Sequence, residues 1–198
     1  MKFVFATHNQ NKLKEIQAIV PAGITLVSLK DIGCSEPIPE TKLTLQGNAK
    51  LKADHITEHY NLPCFADDTG LMVNTLNGEP GVFSARYAGE QNDANANMDK
   101  LIRNLKDKED RSASFKTVIA LNLNHETIFF EGEVKGSILK TKQGQKGFGY
   151  DPIFKPDGYE RTFAQLPLEI KNKISHRGRA FSKLVAYLNK IHVNIQEK

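Results

Sequence analysis

The chain has no tryptophan and only two cysteines in 198 residues. Cys34 and Cys64 form no disulfide framework of the kind that staples small secreted domains, and they lack zinc-ligand spacing. Long hydrophobic runs are missing too. The N-terminal Phe3-Val4-Phe5-Ala6 is too short for a signal-peptide core or a membrane span, and no later stretch is long enough. A reduced, cytoplasmic protein that engages no membrane is therefore expected. No run of basic residues interleaved with aromatics occurs, so the net charge of +4 and pI of about 8.9 do not by themselves argue for nucleic acid. They equally suit a small polyanion. Internal repeats and low-complexity segments are absent.

What is present is an ordinary globular composition, 39% hydrophobic and 25% charged, in a length suited to one domain (1–198) with two lobes and no linker. The most informative stretch is Cys64-Phe65-Ala66-Asp67-Asp68-Thr69-Gly70. Cys64–Ala66 reads as the end of a short buried strand after the breaker Pro63. Acid groups then fall at a strand's C-terminal edge, where open α/β sheets bind ligands. If strand geometry persists, Asp67 and Asp68 point to opposite faces, one toward a cleft and the other orienting a neighbour. Crowded carboxylates either take a hard cation such as Mg²⁺ or shift each other's pKa. A polar turn with an Asx hydrogen bond is the alternative.

Phe3–Ala6 reads as a first strand, followed by Thr7-His8-Asn9-Gln10-Asn11-Lys12 and a helix with Leu13, Ile16, Ile19 and Val20 on one face. A strand, a polar turn and a helix N-terminus with a lysine favour a phosphate; a capped turn with a solvated lysine fits as well. Ile24–Leu29 reads as a second strand, and residues 33–43 as a loop holding Glu36 and Glu40. Thr44 caps a helix over Leu45–Tyr60, ended by Asn61 and Pro63. Leu71–Val73 is a short strand before the turn Asn77-Gly78. Segment 80–87 is irregular, and its Arg86 is either a phosphate ligand or an ordinary salt-bridge partner. A helix covers Asn92–Leu105, with Met98, Leu101, Ile102 and Leu105 on one face, and Ala113–Leu123 with Glu126–Ile138 form a hairpin around Asn124-His125.

In Gly144–Pro152 the glycines allow close backbone approach to a ligand or a sharp turn. Phe148 and Tyr150 either stack on a flat base or plug the core, and Asp151 is placed to accept from a base edge. A short helical segment from Pro167 carries Lys171. Ser175 then caps a helix whose first turn holds His176 and Arg177, cations placed against the helix dipole, which favours a bound anion nearby. The tail after Ile191 is expected to fray.

Taken together in this order, Thr7–Lys12, Glu40-Thr41, Ala66–Gly70, Pro80-Gly81, Ser84–Tyr87, Gly147–Pro152 and Ser175–Gly178 resemble the inosine triphosphate pyrophosphatase family. The resemblance implies a two-lobed α/β mixed-sheet fold with a central nucleotide-binding cleft. It also implies a Mg²⁺-dependent homodimer that hydrolyses dITP, ITP and XTP, purine nucleoside triphosphates outside the standard set, to the monophosphate and pyrophosphate. By motif, Asp68 is the implied general base and metal ligand, with Glu40 as second ligand. Thr7, His8, Asn9, Gln10, Asn11 and Lys12 are the implied phosphate-binding turn. Thr69, Phe148, Gly149, Tyr150, Asp151, Lys171, His176 and Arg177 complete the implied substrate contacts. His8 stands where the family commonly has glycine, Lys42 where Glu-Thr-Gly is usual, and Thr69 replaces serine while keeping the hydroxyl. Segment 80–87 is the expected part of the dimer contact.

Two rival readings fit the same residues: a pyrophosphatase for other odd nucleotides such as modified pyrimidines, and a non-catalytic nucleotide or RNA binder. The second does not need a carboxylate cluster beside phosphate-binding cations.

Overall fold

A computed structural model describes residues 2–17, 20 and 23–196. Among these the elements run β1 (Lys2–Phe5), α1 (Gln10–Gln17), β2 (Thr25–Ser28), α2 (Leu45–Tyr60), β3 (Cys64–Val73), β4 (Pro80–Gly81), α3 (Ala94–Asn104), β5 (Ser112–Leu123), β6 (Glu126–Ile138), β7 (Phe154–Pro156), α4 (Leu168–Ile174) and α5 (His176–Gln196). The strands form one sheet in the order β2-β1-β3-β5-β6-β7, with β4 paired to β3. β1 runs parallel to β2 and β3, whereas β3/β4 and β6/β7 are antiparallel, so the sheet is mixed as expected. Asn124 and His125 both have positive φ (52° and 65°), the turn geometry that closes a two-residue hairpin between β5 and β6.

The chain divides into two compact units. The first takes the described residues of Met1–Asp68, Thr117–Gly132 and Arg179–Lys198; the second takes Thr69–Lys116 and Glu133–Gly178. In the first unit, Phe5 stacks on Phe65 at 4.8 Å and Phe181 of α5 meets Phe5 edge-on at 5.7 Å. A further cluster joins Val4, Ala6 and Ala66 of the β1 and β3 segments to Ala49, Ala53 and Ile56 of α2. In the second unit, Leu71 and Val73 pack with Met98, Leu101 and Leu105 of the α3 segment and with Phe115, Phe154 and Phe163.

Two sequence expectations are corrected. The short strands expected at Cys64–Ala66 and Leu71–Val73 are one ten-residue strand, so Asp67-Asp68-Thr69-Gly70 is not a strand-ending turn. The burial pattern explains this: every residue of β3 except Thr69 and Met72 is buried, and both acids find partners on neighbouring elements, so turn propensity loses to the ladder. The tail expected to fray after Ile191 is helical to Gln196. Ile19 of the expected first-helix stripe lies outside the described residues.

Candidate active site

Two groups of side chains gather the residues singled out by sequence, one in each unit. In the first, β1 stops early. Its register with β3 ends at Phe5 opposite Phe65, with a last rung from the Ala6 N–H to the Phe65 carbonyl at 2.9 Å. Asp67 and Asp68 therefore emerge just past the C-terminal end of β1, although β3 itself continues.

The turn after β1 is organised by its own side chains. Thr7 Oγ1 accepts the Asn9 N–H at 3.1 Å, and Asn9 Oδ1 accepts the Lys12 N–H at 3.3 Å, capping α1. Gln10 and Asn11 open α1; their side chains lie outside the described set. The His8 ring Nε2 lies 3.3 Å from the Glu36 carbonyl, joining this turn to the loop that carries Glu40. Strand alternation then separates the two acids. Asp67 is buried and holds the Lys12 ammonium with both oxygens, at 3.0 and 2.8 Å.

Asp68 turns to α2. Asn48 Nδ2 donates to its Oδ2 at 3.1 Å, and Lys52 Nζ stands 3.9 Å from its Oδ1. The same ammonium contacts Glu40 Oε1 at 2.5 Å. α2 is set in place by its cap, with Thr44 Oγ1 accepting the Gly47 N–H at 3.0 Å and the Asn48 N–H donating to the Thr44 carbonyl at 3.0 Å. Burial pushes the Asp68 carboxyl up to about 6; the Lys52 charge opposes that rise and Glu40 adds to it. Lys52 moves the other way. Burial alone would lower it, but Asp68, Glu40 and Asp67 outweigh burial and raise it, so its ammonium stays charged.

Sequence reading missed Asn48 and Lys52. The signal was available: the buried positions of α2 are Leu45, Asn48, Ala49, Lys52, Ala53 and Ile56, a helical stripe in which an amide and an ammonium occupy core positions. Buried polar groups at such positions need partners, and here the partners are Asp68 and Glu40.

The second group forms around Phe148. Gly147 has φ +78°, and a Cβ there would lie 2.0 Å from Asp151 Oδ2, so only glycine fits. That oxygen accepts the Phe148 N–H and the Lys171 ammonium, each at 2.8 Å. Lys171 Nζ lies 5.0 Å and the Arg177 guanidinium 5.1 Å from the Phe148 ring centroid, so two cations rest on one ring. His176 is buried and stacks on Phe115 at 4.6 Å. The Gly178 N–H donates to Ser175 Oγ at 3.1 Å, the expected cap. A Cβ on Gly178 would fall 1.7 Å from the Asn172 carbonyl, so α4 and the start of α5 meet at van der Waals limits. The two aromatics of the loop separate: Phe148 is half-buried beside the cations, whereas Tyr150 is a core plug whose hydroxyl donates to the Ser84 carbonyl at 2.8 Å. Thr69, half-buried, follows Asp68 directly on β3, and Gly149 has φ +61°.

The donor chemistry of the first group is hard oxygen. Among the described residues no group of three or more His, Cys, Asp or Glu stands ready to cage a metal ion. Two carboxylates that already share one cation suit a hard divalent ion that draws its remaining ligands from water and a bound phosphate.

Comparison with known proteins gives the family. The family model described as the Ham1 family matches residues 3–187. The chain belongs to the Ham1 family. One relative, named a dITP/XTP pyrophosphatase, from Flavobacterium johnsoniae, is 58% identical over 188 residues, covering 95% of this chain and 98% of that protein. The solved HAM1 protein of Coxiella burnetii superposes with a TM-score of 0.91 at 38% identity, covering 96% of this chain and 99% of that one. The Staphylococcus aureus Ham1 protein superposes with a TM-score of 0.89 at 40% identity and the same coverages. The Ham1 fold of this chain is thus the mixed α/β fold that the motifs implied.

Proposed function

We propose that this chain hydrolyses purine nucleoside triphosphates outside the standard set, dITP, ITP and XTP, to the monophosphate and pyrophosphate, with Mg²⁺. One observation carries the reading: a buried carboxylate, Asp68, shares the Lys52 ammonium with Glu40 and stands one residue along β3 from the carboxylate that holds Lys12. Cleavage of a phosphoanhydride requires charge neutralisation, an oriented water and little covalent chemistry from the protein.

Glu40 and Asp68 would hold the Mg²⁺, which when bound neutralises phosphate oxygens and makes a water more acidic. Asp68 takes the water's proton. In the metal-free protein burial raises this carboxyl to about 6, which leaves it ionised at neutral pH yet more basic than an exposed aspartate. Lys12 and the first turn of α1 hold the phosphates, and Asp67 fixes where the Lys12 charge lies. Lys52 offsets charge that develops on the phosphates. Phe148 offers a ring for the base, and Lys171, His176 and Arg177 select the 6-oxo edge. A site built to donate to an oxo group leaves buried donors unpaired against adenine.

The protein acts in the cytoplasm on this reading, in keeping with the two buried free thiols. It works as a homodimer, with the half-exposed Phe83 and the Arg86 resting on its ring (5.2 Å) forming part of the contact. Incubation with Mg²⁺ and dITP, XTP, dGTP, dATP or dUTP, followed by separation of pyrophosphate from orthophosphate, tests the activity. Monophosphate plus pyrophosphate from dITP and XTP alone is the expected result. Orthophosphate release, or indifference to the base, would overturn it.

A further inference from the structure

We infer that Asn48 is a positioning residue that sets Asp68 and the Glu40 segment relative to one another through a neutral bridge. Its catalytic consequence rests on the hydrolase reading above. Asn48 is fully buried in the first turn of α2, and each end of its amide is engaged. Oδ1 accepts the Lys42 N–H at 2.8 Å, and Nδ2 donates to Asp68 Oδ2 at 3.1 Å. The orientation is fixed by chemistry. A backbone N–H can only donate and an ionised carboxylate can only accept, so a flipped amide would oppose donor to donor and acceptor to acceptor.

Lys52, one helical turn on, joins the same loop and the same acid: Glu40, two residues before Lys42, and Asp68 through its other oxygen. Two bridges therefore tie the Glu40–Lys42 segment to Asp68, one charged and one neutral. A divalent cation held by Glu40 and Asp68 would compete with the ammonium for both carboxylates. It would leave the amide in place, because the amide holds one carboxylate oxygen and a main-chain N–H. The neutral bridge thus keeps the two carboxylates in register while their counter-charge changes from ammonium to metal. Asn48 uses only the main chain of residue 42, and the Lys42 stem lies over Gly47, whose missing Cβ would come within 2.8 Å of Lys42 Cβ.

The test compares Asn48→Leu, which fills the same space without hydrogen bonding, with Asn48→Ser, which keeps a hydroxyl and room for a water. Two quantities are measured on folded protein: Mn²⁺ affinity without substrate, by electron paramagnetic resonance, and steady-state kinetics with dITP. In Asn48→Leu the affinity and kcat should each fall about 10–100-fold, the usual loss when a group orienting a metal ligand is removed, with KM nearly unchanged. Asn48→Ser should fall between that variant and the wild type, and it carries the test alone should the leucine variant not fold. Wild-type Mn²⁺ affinity and kcat in either folded variant, or a loss confined to KM, would overturn the inference. If the wild type hydrolyses none of the triphosphates, the hydrolase reading fails while the Mn²⁺ comparison still decides the role of Asn48.

Discussion

At the scale of the residue, β3 sends two adjacent carboxylates to different partners. Asp67 is spent on Lys12, and Asp68 is balanced against Lys52 and Asn48. Balance is incomplete for Asp68, because burial outweighs its cation and lifts the carboxyl from 3.8 to about 6. The folded protein therefore binds that proton more tightly than the unfolded chain does. The stability tied to this group is present below about pH 4 and is lost as pH rises through about 6. Asp68→Asn, which cannot titrate, should gain thermal stability relative to the metal-free wild type across that window, by up to about 3 kcal/mol. Melting curves of both proteins at pH 4 and pH 7.5 check this; a difference that stays constant or shrinks with rising pH would contradict it. In the metal-free protein the same burial that costs stability makes Asp68 a stronger base, a trade expected where a site is built for chemistry.

At the scale of the element, helix ends place the chemistry. Asn9 caps the helix of Lys12, Thr44 that of Asn48 and Lys52, and Ser175 that of His176 and Arg177. The last depends on Gly178, where a side chain would meet the Asn172 carbonyl. Gly178→Ala should force α4 and the start of α5 apart, displacing Lys171, His176 and Arg177. A rise in KM for dITP larger than the fall in kcat is the expected signature, read from steady-state kinetics; wild-type KM would show that the contact is not needed. Caps and 3.6-residue periodicity were legible in the sequence, and α2 has the bounds that Thr44 and Asn61 predict. β3 was not legible, because Asp-Asp-Thr-Gly has turn chemistry and nothing local reveals that Lys12 and Asn48, 55 and 20 residues away, satisfy its acids. The cluster around Asp68 was half legible for the same reason. The acids stand out in the sequence, whereas Asn48 and Lys52 emerge only when polar residues on the buried face of α2 are counted as deliberate. Tyr150 and Phe148 read alike in sequence and part in the structure, one to the core and one to the cations, because glycines on either side leave the loop direction open.

At the scale of the whole molecule, no described helix is long and apolar enough to cross a membrane, and the net charge of +4 suits a polyanionic small molecule. Homodimer formation predicts sedimentation at twice 22.1 kDa, and Phe83→Asp should shift the protein toward the mass of one chain. An unchanged sedimentation profile would move the contact elsewhere. The central claim, that this chain is a nucleotide pyrophosphatase whose general base is Asp68, is tested most directly by turnover of dITP with Mg²⁺ in Asp68→Asn. The expected result is a folded protein whose kcat is reduced about 10²–10⁴-fold, the range for loss of a general base. Near-wild-type turnover in the folded variant would remove Asp68 from the centre of the mechanism.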